Sequence, residues 1–221
     1  MRLNLLSLVT FVVGCCLPFS LAQAHPHVWV SVKTELVMTG DKVTAVNHSW
    51  TFDEAFSAFA SQGLDEDDDG VLSREELQPL AEVNVESLAE FGYFSDIYEQ
   101  GAPDTTDAVF GDPRDYWLSS ENGFLILHFT LPVLSDVDAR QEAVLDVYDP
   151  TYFVDFSFPE KDPVSVRNSG QSCDVRLIKP AELDAETASL LATVPQGQRE
   201  PPGYLMKITS TLANQVILKC E

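Results

Sequence analysis

An acidic segment of twelve residues, from Asp65 to Glu76, constrains this chain more than any other part of its sequence. Carboxylates stand at positions 1, 3, 5 and 12 of the segment, and Gly70 stands at position 6, where the chain must turn sharply. This spacing is that of an EF-hand loop, which wraps around one calcium ion. The predicted ligands are Asp65, Asp67, Asp69, the backbone carbonyl of Val71, Ser73 and Glu76.

The residues on either side of this loop have helical periodicity. Asp53 is the predicted N-cap of a first helix, which ends at Gly63 and has an apolar stripe formed by Ala55, Phe56, Phe59 and Ala60. A second helix is predicted from about Arg74 to Phe91, and Pro79 is expected to kink it or delay its start. The sequence has no second loop of this kind with which to pair, so we predict a structural rather than a sensory calcium site.

Strand patterns surround this helix–loop–helix. Two alternating stretches, 28–38 and 43–52, predict a hairpin that comes before it. Further strands are predicted at 93–98, 114–119, 124–131, 143–148, 152–158, 164–167, 173–178 and 215–220, with a helix at 183–193 and a Pro/Gly-rich break at 195–203. Turns are expected at Glu121-Asn122-Gly123 and at Asp149-Pro150, between neighbouring strands. The predicted fold class is α+β, an antiparallel β-rich domain with an EF-hand helix–loop–helix inserted at about 53–92.

The first residues have the pattern of an export signal. Arg2 precedes an apolar stretch, and Ala22-Gln23-Ala24 has the small-x-small pattern that signal peptidase cleaves. The apolar stretch is too short for a membrane span. We therefore predict a signal peptide at 1–24 and a single periplasmic domain at 25–221. A lipoprotein box ending at Cys15 is the alternative.

Charge and cysteines narrow the partners and the compartment. The formal net charge is −22, and loss of Arg2 with the signal peptide makes it −23. Such a chain is not expected to bind nucleic acid or anionic membranes, whereas cations are favoured. Cys173 and Cys220 remain after cleavage, and in an oxidising compartment we expect one disulfide between them, worth about 4 kcal/mol on the chain-entropy model. A metal–thiolate site is the weaker alternative.

Three of the four histidines are candidate ligands for a transition metal. A mature N-terminal His25 would offer its α-amino group and its imidazole together, and His27 lies two residues further on. His128 would add a third ligand if its strand lies beside the first strand. Zn²⁺, Ni²⁺, Co²⁺ and Cu²⁺ prefer such nitrogens to carboxylates. His48 is left out, and no nucleophile motif or phosphate-binding loop indicates an enzyme.

Several motifs together resemble a bacterial family of periplasmic proteins. They are His25-Pro26-His27-Val28-Trp29-Val30, Trp50-Thr51-Phe52-Asp53-Glu54, Leu127-His128-Phe129-Thr130-Leu131-Pro132, Tyr148-Asp149-Pro150-Thr151-Tyr152 and the two late cysteines. Members of that family are described as periplasmic components of an uncharacterised ABC-type transport system, and their genes often neighbour nickel/cobalt-type permeases. The resemblance implies a role in handling a divalent transition metal beside an inner-membrane permease, with His25, His27 and His128 as ligands.

Three functional hypotheses follow. The first is a non-enzymatic periplasmic accessory protein of a transition-metal transport system, with a structural calcium site; it predicts metal binding that is lost when the N-terminus is extended by one residue. The second is a calcium-stabilised structural or interaction module without a transition metal, which is indifferent to His25→Ala. The third, a copper enzyme that uses the N-terminal histidine, requires copper-dependent turnover.

Overall fold

A computed structural model of the protein describes residues 26–102, 109–180, 183–195, 198 and 201–221. Within these ranges the chain forms ten β-strands and four α-helices. The first half contains β1 (Val28–Thr39), β2 (Lys42–Phe52), α1 (Glu54–Ala60), α2 (Arg74–Ala89), β3 (Ser95–Glu99), β4 (Arg114–Glu121) and β5 (Phe124–Pro132). The second half contains β6 (Ala143–Val147), β7 (Val154–Ser157), β8 (Val164–Arg167), β9 (Cys173–Ile178), α3 (Ala185–Leu191), α4 (Gly203–Thr209) and β10 (Asn214–Cys220). The chain is thus mixed α+β and rich in strands, as predicted.

The strands form two sheets. The larger sheet has the order β4-β5-β2-β1-β7, and β8 also pairs with β1; the smaller sheet has the order β3-β6-β10-β9. All neighbours in the smaller sheet are antiparallel, but β7 and β8 run parallel to β1. The predicted turn at Asp149-Pro150 is therefore wrong in one respect. It connects β6 of the smaller sheet to β7 of the larger sheet, rather than two neighbours within one sheet.

The core is built on one face of three adjacent strands of the larger sheet, β5, β2 and β1. Side chains two residues apart point to the same face of a strand, so in β1, β2 and β5 one face is buried and the other is partly exposed. Trp50 at the centre of this face is 1% exposed and contacts Phe129 edge-on and Phe156 at an angle, with ring centroids 4.9 Å away in both cases. Residues of both sheets and of α2 belong to the same buried cluster.

His48 lies inside this core and links the two sheets. Its Nδ1 is 3.0 Å from the Thr34 hydroxyl on β1, and its Nε2 is 3.3 Å from the hydroxyl of Ser95, which begins β3. The side chain is 2% exposed, and this burial lowers the pKa of His48 to about 3. His48 is thus a neutral, hydrogen-bonded core residue.

The buried His48 makes stability depend on pH in a predictable direction. Its ordinary pKa is 6.5 and its folded pKa is about 3, so the unfolded chain takes up the proton first as the pH falls. Stability is then lost below pH 6.5 by up to about 1.4 kcal/mol per pH unit. Between pH 7.5 and pH 5, we expect urea unfolding of the wild type to lose about 2 kcal/mol more than His48→Gln does. Equal losses in the two proteins would assign the pH dependence to the carboxylates that they share.

Other departures from the prediction are local. Helix α2 begins at Arg74 and contains Pro79, so the proline does not delay it, and it ends at Ala89 rather than at Phe91. Helix α4 begins inside the stretch that was expected to be a Pro/Gly-rich break. Among the described residues, no helix is both long enough and apolar enough to span a membrane. The predicted disulfide between Cys173 and Cys220 is present and joins β9 to β10. The predicted signal peptide and Cys15 lie outside the described residues.

Candidate metal centre

The acidic loop runs between helices α1 and α2, and α1 is fixed to the larger sheet. Asp53 caps α1, as predicted, because its Oδ1 accepts the backbone N–H of Phe56 at 2.9 Å. Its second oxygen, Oδ2, accepts the N–H of Trp29 at 3.0 Å, and its own N–H donates to the Trp29 carbonyl. One carboxylate therefore starts the helix and also holds that start against β1.

The loop brings three carboxylates together. Asp65, Asp67 and Glu76 each offer one oxygen, and these three oxygens all lie within 4.8 Å of one another. The set comes from loop positions 1, 3 and 12, at both ends of a segment that folds back on itself. Hard carboxylate oxygens at this spacing match the donors that Ca²⁺ prefers.

Backbone N–H groups of the loop hold the first carboxylate in place. Asp65 accepts the N–H of Asp69 at 3.1 Å through Oδ1 and that of Gly70 at 2.9 Å through Oδ2. Gly70 has a φ of +81°, a backbone conformation that is strained for any residue with a side chain. The turn therefore depends on glycine at this position. Asp67 accepts the same Asp69 N–H at 3.2 Å. These bonds point the carboxylates toward the interior of the loop.

Glu76 connects the two ends of the loop. Its Oε1 accepts the N–H of Glu66 at 2.7 Å, and its Oε2 accepts both the N–H and the hydroxyl of Ser73, each at 2.7 Å. The Ser73 hydroxyl in turn accepts the Glu76 N–H, which completes a capping box at the start of α2. The hydrogen bonds from Ser73, followed by that from Glu66, lower the pKa of Glu76. Its carboxylate is thus held in the charged form.

The other predicted calcium ligands are in the same loop but outside the three-carboxylate group. The Asp69 carboxylate accepts the N–H of Val71 at 2.7 Å, and the Ser73 hydroxyl is bonded to Glu76. The structure therefore brings together Asp65, Asp67 and Glu76, and it places Ser73 beside them through Glu76.

Two of the three predicted transition-metal ligands, His27 and His128, are described by the structure, and they do not meet. His25 lies outside the described residues. The His27 side chain is exposed at the start of β1, where its ring centroid lies 4.8 Å from that of Phe153. Strand β2 lies between β1 and β5, and Ser49 of β2 pairs with both Lys33 and His128. His128 is therefore level with Lys33, about 20 Å along the sheet from His27 at 3.3 Å per residue.

His128 belongs instead to a stack that sequence reasoning missed. Its ring lies on Trp117 with centroids 3.9 Å apart, and the Arg74 guanidinium lies 4.7 Å from the Trp117 ring centroid. Its two nitrogens face the hydroxyls of Ser49, at 2.9 Å, and Ser119, at 3.1 Å. Burial lowers the pKa of His128.

One signal for this stack was present in the sequence. A two-residue turn at Asn122-Gly123 pairs Glu121 with Phe124, and counting outward pairs Trp117 with His128, as the register confirms. Arg74 is the first residue of α2, the helix that follows the acidic loop. The stack therefore connects α2 to strands β4 and β5 of the larger sheet.

Comparison with known proteins gives a family but no activity. Residues 10–220 match the family described as "Protein of unknown function (DUF1007)". An "Uncharacterized protein" from Haemophilus influenzae (strain ATCC 51907 / DSM 11121 / KW20 / Rd) is 22% identical over 199 residues, covering 90% of this chain and 92% of that protein. The family match spans nearly the whole sequence, so this chain belongs to the DUF1007 family of bacterial proteins.

Proposed function

We propose that this protein binds one Ca²⁺ ion in the loop from Asp65 to Glu76 and is a calcium-stabilised module of the bacterial periplasm. The observation that carries the proposal is the group of carboxylate oxygens of Asp65, Asp67 and Glu76, all within 4.8 Å of one another. The loop's own N–H groups orient these side chains, so the binding geometry is partly built before the ion arrives.

The chemistry of the donor set suits calcium. Three carboxylates this close repel one another, and a divalent cation relieves that repulsion. Ca²⁺ accepts six to eight oxygens in a flexible arrangement, whereas Mg²⁺ requires a near-octahedral set at shorter distances. Asp69, the carbonyl of Val71 and Ser73 belong to the same loop and would complete the coordination. The ion would stabilise the α1–loop–α2 segment rather than act as a sensor.

The proposed location rests on the predicted export signal and on the disulfide. Disulfides persist in oxidising compartments such as the periplasm and are rare in the cytosol. The Cys173–Cys220 bond therefore supports export.

Calcium titration of the exported protein tests the proposal. We expect one-to-one binding by calorimetry, a higher melting temperature in calcium, and loss of that gain on chelation. Chelation should speed amide hydrogen exchange in residues 53–92. The same treatment should change exchange less in the disulfide-linked strands β9 and β10. A melting temperature and an exchange pattern that ignore chelation would refute the proposal.

A second function, transition-metal handling beside an inner-membrane permease, is carried by His27. Its side chain is exposed at the start of β1, two residues after the predicted mature terminus. His25 and His27 together would form the site, and His128 has no part in it because it lies about 20 Å away along the sheet. Titration with Ni²⁺, Co²⁺, Zn²⁺ or Cu²⁺ in saturating calcium should show binding that is lost when one residue is added before His25. Binding that survives the added residue would place the metal elsewhere.

A further inference from the structure

Strand β9 leaves one of its edges open. It lies at the end of the smaller sheet and, among the strands that the structure describes, it pairs with β10 alone. The backbone N–H and C=O groups along such an edge can pair with another strand. We infer that β9 is a self-complementary edge, through which two copies of this chain form an antiparallel dimer about a two-fold axis at Val175.

The hydrogen-bond pattern fixes which residues of β9 face the open edge. The N–H of Glu221 donates to the carbonyl of Ser172, which lies opposite it when the register of β9 and β10 is continued by one residue. Hydrogen-bonded and non-bonded pairs alternate along antiparallel strands, so the next pair, Cys173 and Cys220, is non-bonded. Their Cα atoms lie 4.1 Å apart, close to the value of about 4.5 Å for such a pair. The backbone groups of Cys173 and, two residues on, of Val175 therefore point away from β10.

Only one register of two β9 strands brings opposite charges together. Outward-facing residues must pair with each other, so the two-fold axis lies at a residue rather than between two residues. An axis at Asp174 would place two aspartates opposite each other, and an axis at Arg176 would do the same with two arginines. An axis at Val175 places Asp174 opposite Arg176 of the second copy, twice over by symmetry, and both pairs are attractive. Axes at Cys173 or Leu177 pair no acid of β9 with a base of β9.

The side chains of β9 are available for this pairing. Asp174 and Arg176 are exposed on the face of the sheet opposite the core, and neither has an ion-pair partner among the described residues. Val175 points toward the core side yet is 36% exposed, and the Val175 of a second copy would cover it.

The local charge of β9 also favours a second copy. The segment from Cys173 to Lys179 has two bases and one acid, a formal charge of +1 in a chain of −22. The edge itself therefore adds no like-charge repulsion, and the charges elsewhere on two acidic chains are screened over about 8 Å at physiological salt.

The other sheet edges in the described ranges lack this combination. Strands β3 and β7 carry acidic residues without a base, and β8 carries an arginine without an acid. Strand β4 carries both signs, but a register shift interrupts its ladder, and such irregularities protect an edge from pairing. Strand β9 is regular, contains no proline and is tied to β10 by the disulfide at its first residue. It is thus an edge that is ordered before a partner arrives.

Sedimentation equilibrium of the exported protein, with its disulfide intact, tests the inference. The pairing gives about six backbone hydrogen bonds between chains but buries less surface than a standard interface of about 1,600 Å². We therefore expect a reversible dimer with a dissociation constant of the order of 50 μM. A wild type that stays monomeric at roughly ten times that concentration would overturn the inference.

Charge reversal identifies the register. Asp174→Arg and Arg176→Asp should each weaken the dimer by at least about tenfold, because each creates two like-charge pairs. An equimolar mixture of the two variants should associate about as tightly as the wild type, since one copy then presents two arginines and the other two aspartates at the paired positions. Lys179→Asp changes the net charge as Arg176→Asp does and should leave the dimer within about threefold of wild type. A mixture no tighter than its separate components would overturn the inference.

A backbone variant tests the edge itself. The N–H of Val175 faces away from β10, so Val175→Pro removes a donor that the monomer does not use in its own sheet. The variant should keep a melting temperature within a few degrees of the wild type in dilute solution, and it should not dimerise. A dimer that survives Val175→Pro would show that the chains associate through another surface.

Discussion

Glu76→Gln should lower the calcium affinity of the loop by at least about a hundredfold, equivalent to about 2.7 kcal/mol of binding free energy. Glu76 is the residue that closes the loop, since its two oxygens accept hydrogen bonds from Glu66 and Ser73 at opposite ends. The amide keeps the shape of the side chain but removes its charge and replaces one acceptor with a donor. Calorimetric titration with Ca²⁺ measures the change, and the gain in melting temperature on adding calcium should disappear with it.

Glu75→Gln is the matched control for this experiment. Glu75 is the neighbouring residue in the first turn of α2, its side chain is exposed, and it is not part of the three-carboxylate group. The control removes the same charge next to the site, so long-range electrostatics alone would weaken both variants alike. A wild-type affinity in Glu76→Gln, or equal losses in the two variants, would show that calcium does not bind as proposed.

Asp149→Ala should destabilise the fold by about 5 kcal/mol, because it leaves several buried donors without an acceptor. The Asp149 carboxylate accepts four hydrogen bonds between 2.7 and 3.0 Å, from the N–H and hydroxyl of Thr151 and from the N–H groups of Phe153 and Val154. It is 3% exposed, so the substitution removes the acceptor from donors in a largely buried turn. The turn that it organises carries the chain from the smaller sheet to the larger one. Urea unfolding monitored by tryptophan fluorescence measures the loss.

Asp155→Asn provides the contrast on the adjacent strand. Burial raises the pKa of Asp155, which means that its charged form is disfavoured in the folded state. A carboxyl whose folded pKa lies above its unfolded pKa lowers stability at neutral pH, so neutralising Asp155 should leave stability equal or higher. A loss in Asp155→Asn as large as that in Asp149→Ala would mean that any change at this crossover is disruptive, whatever its hydrogen bonds.

Local patterns in the sequence predicted most of the elements, because their causes are local. Alternation gave the hairpin of β1 and β2, and the Asp53 cap and the acidic loop placed α1 and α2. The parallel pairing of β7 and β8 with β1 could not be predicted in this way. Each of these strands has only four residues, and nothing within them records which distant strand they join.

The same distinction applies to the candidate sites. The acidic loop is a contiguous segment, so its ligand spacing was visible in the sequence, whereas the histidine site required two separated segments to meet. His128 fails because β2 separates its strand from β1, a fact of strand order.

The parallel pairing of β1 also sets the order in which the chain can fold. Thr39 and Lys42 close the β1–β2 hairpin across two residues. In contrast, Val28 pairs with Val154 and Thr34 pairs with Val164, which are 126 and 130 residues away along the chain. Long-range pairing of this kind raises contact order and slows folding. Until the segment from 154 to 167 arrives, one edge of β1 stays open, and open strand edges recruit other chains. An emerging chain therefore carries an open edge on β1 until residues 154–167 have been synthesised.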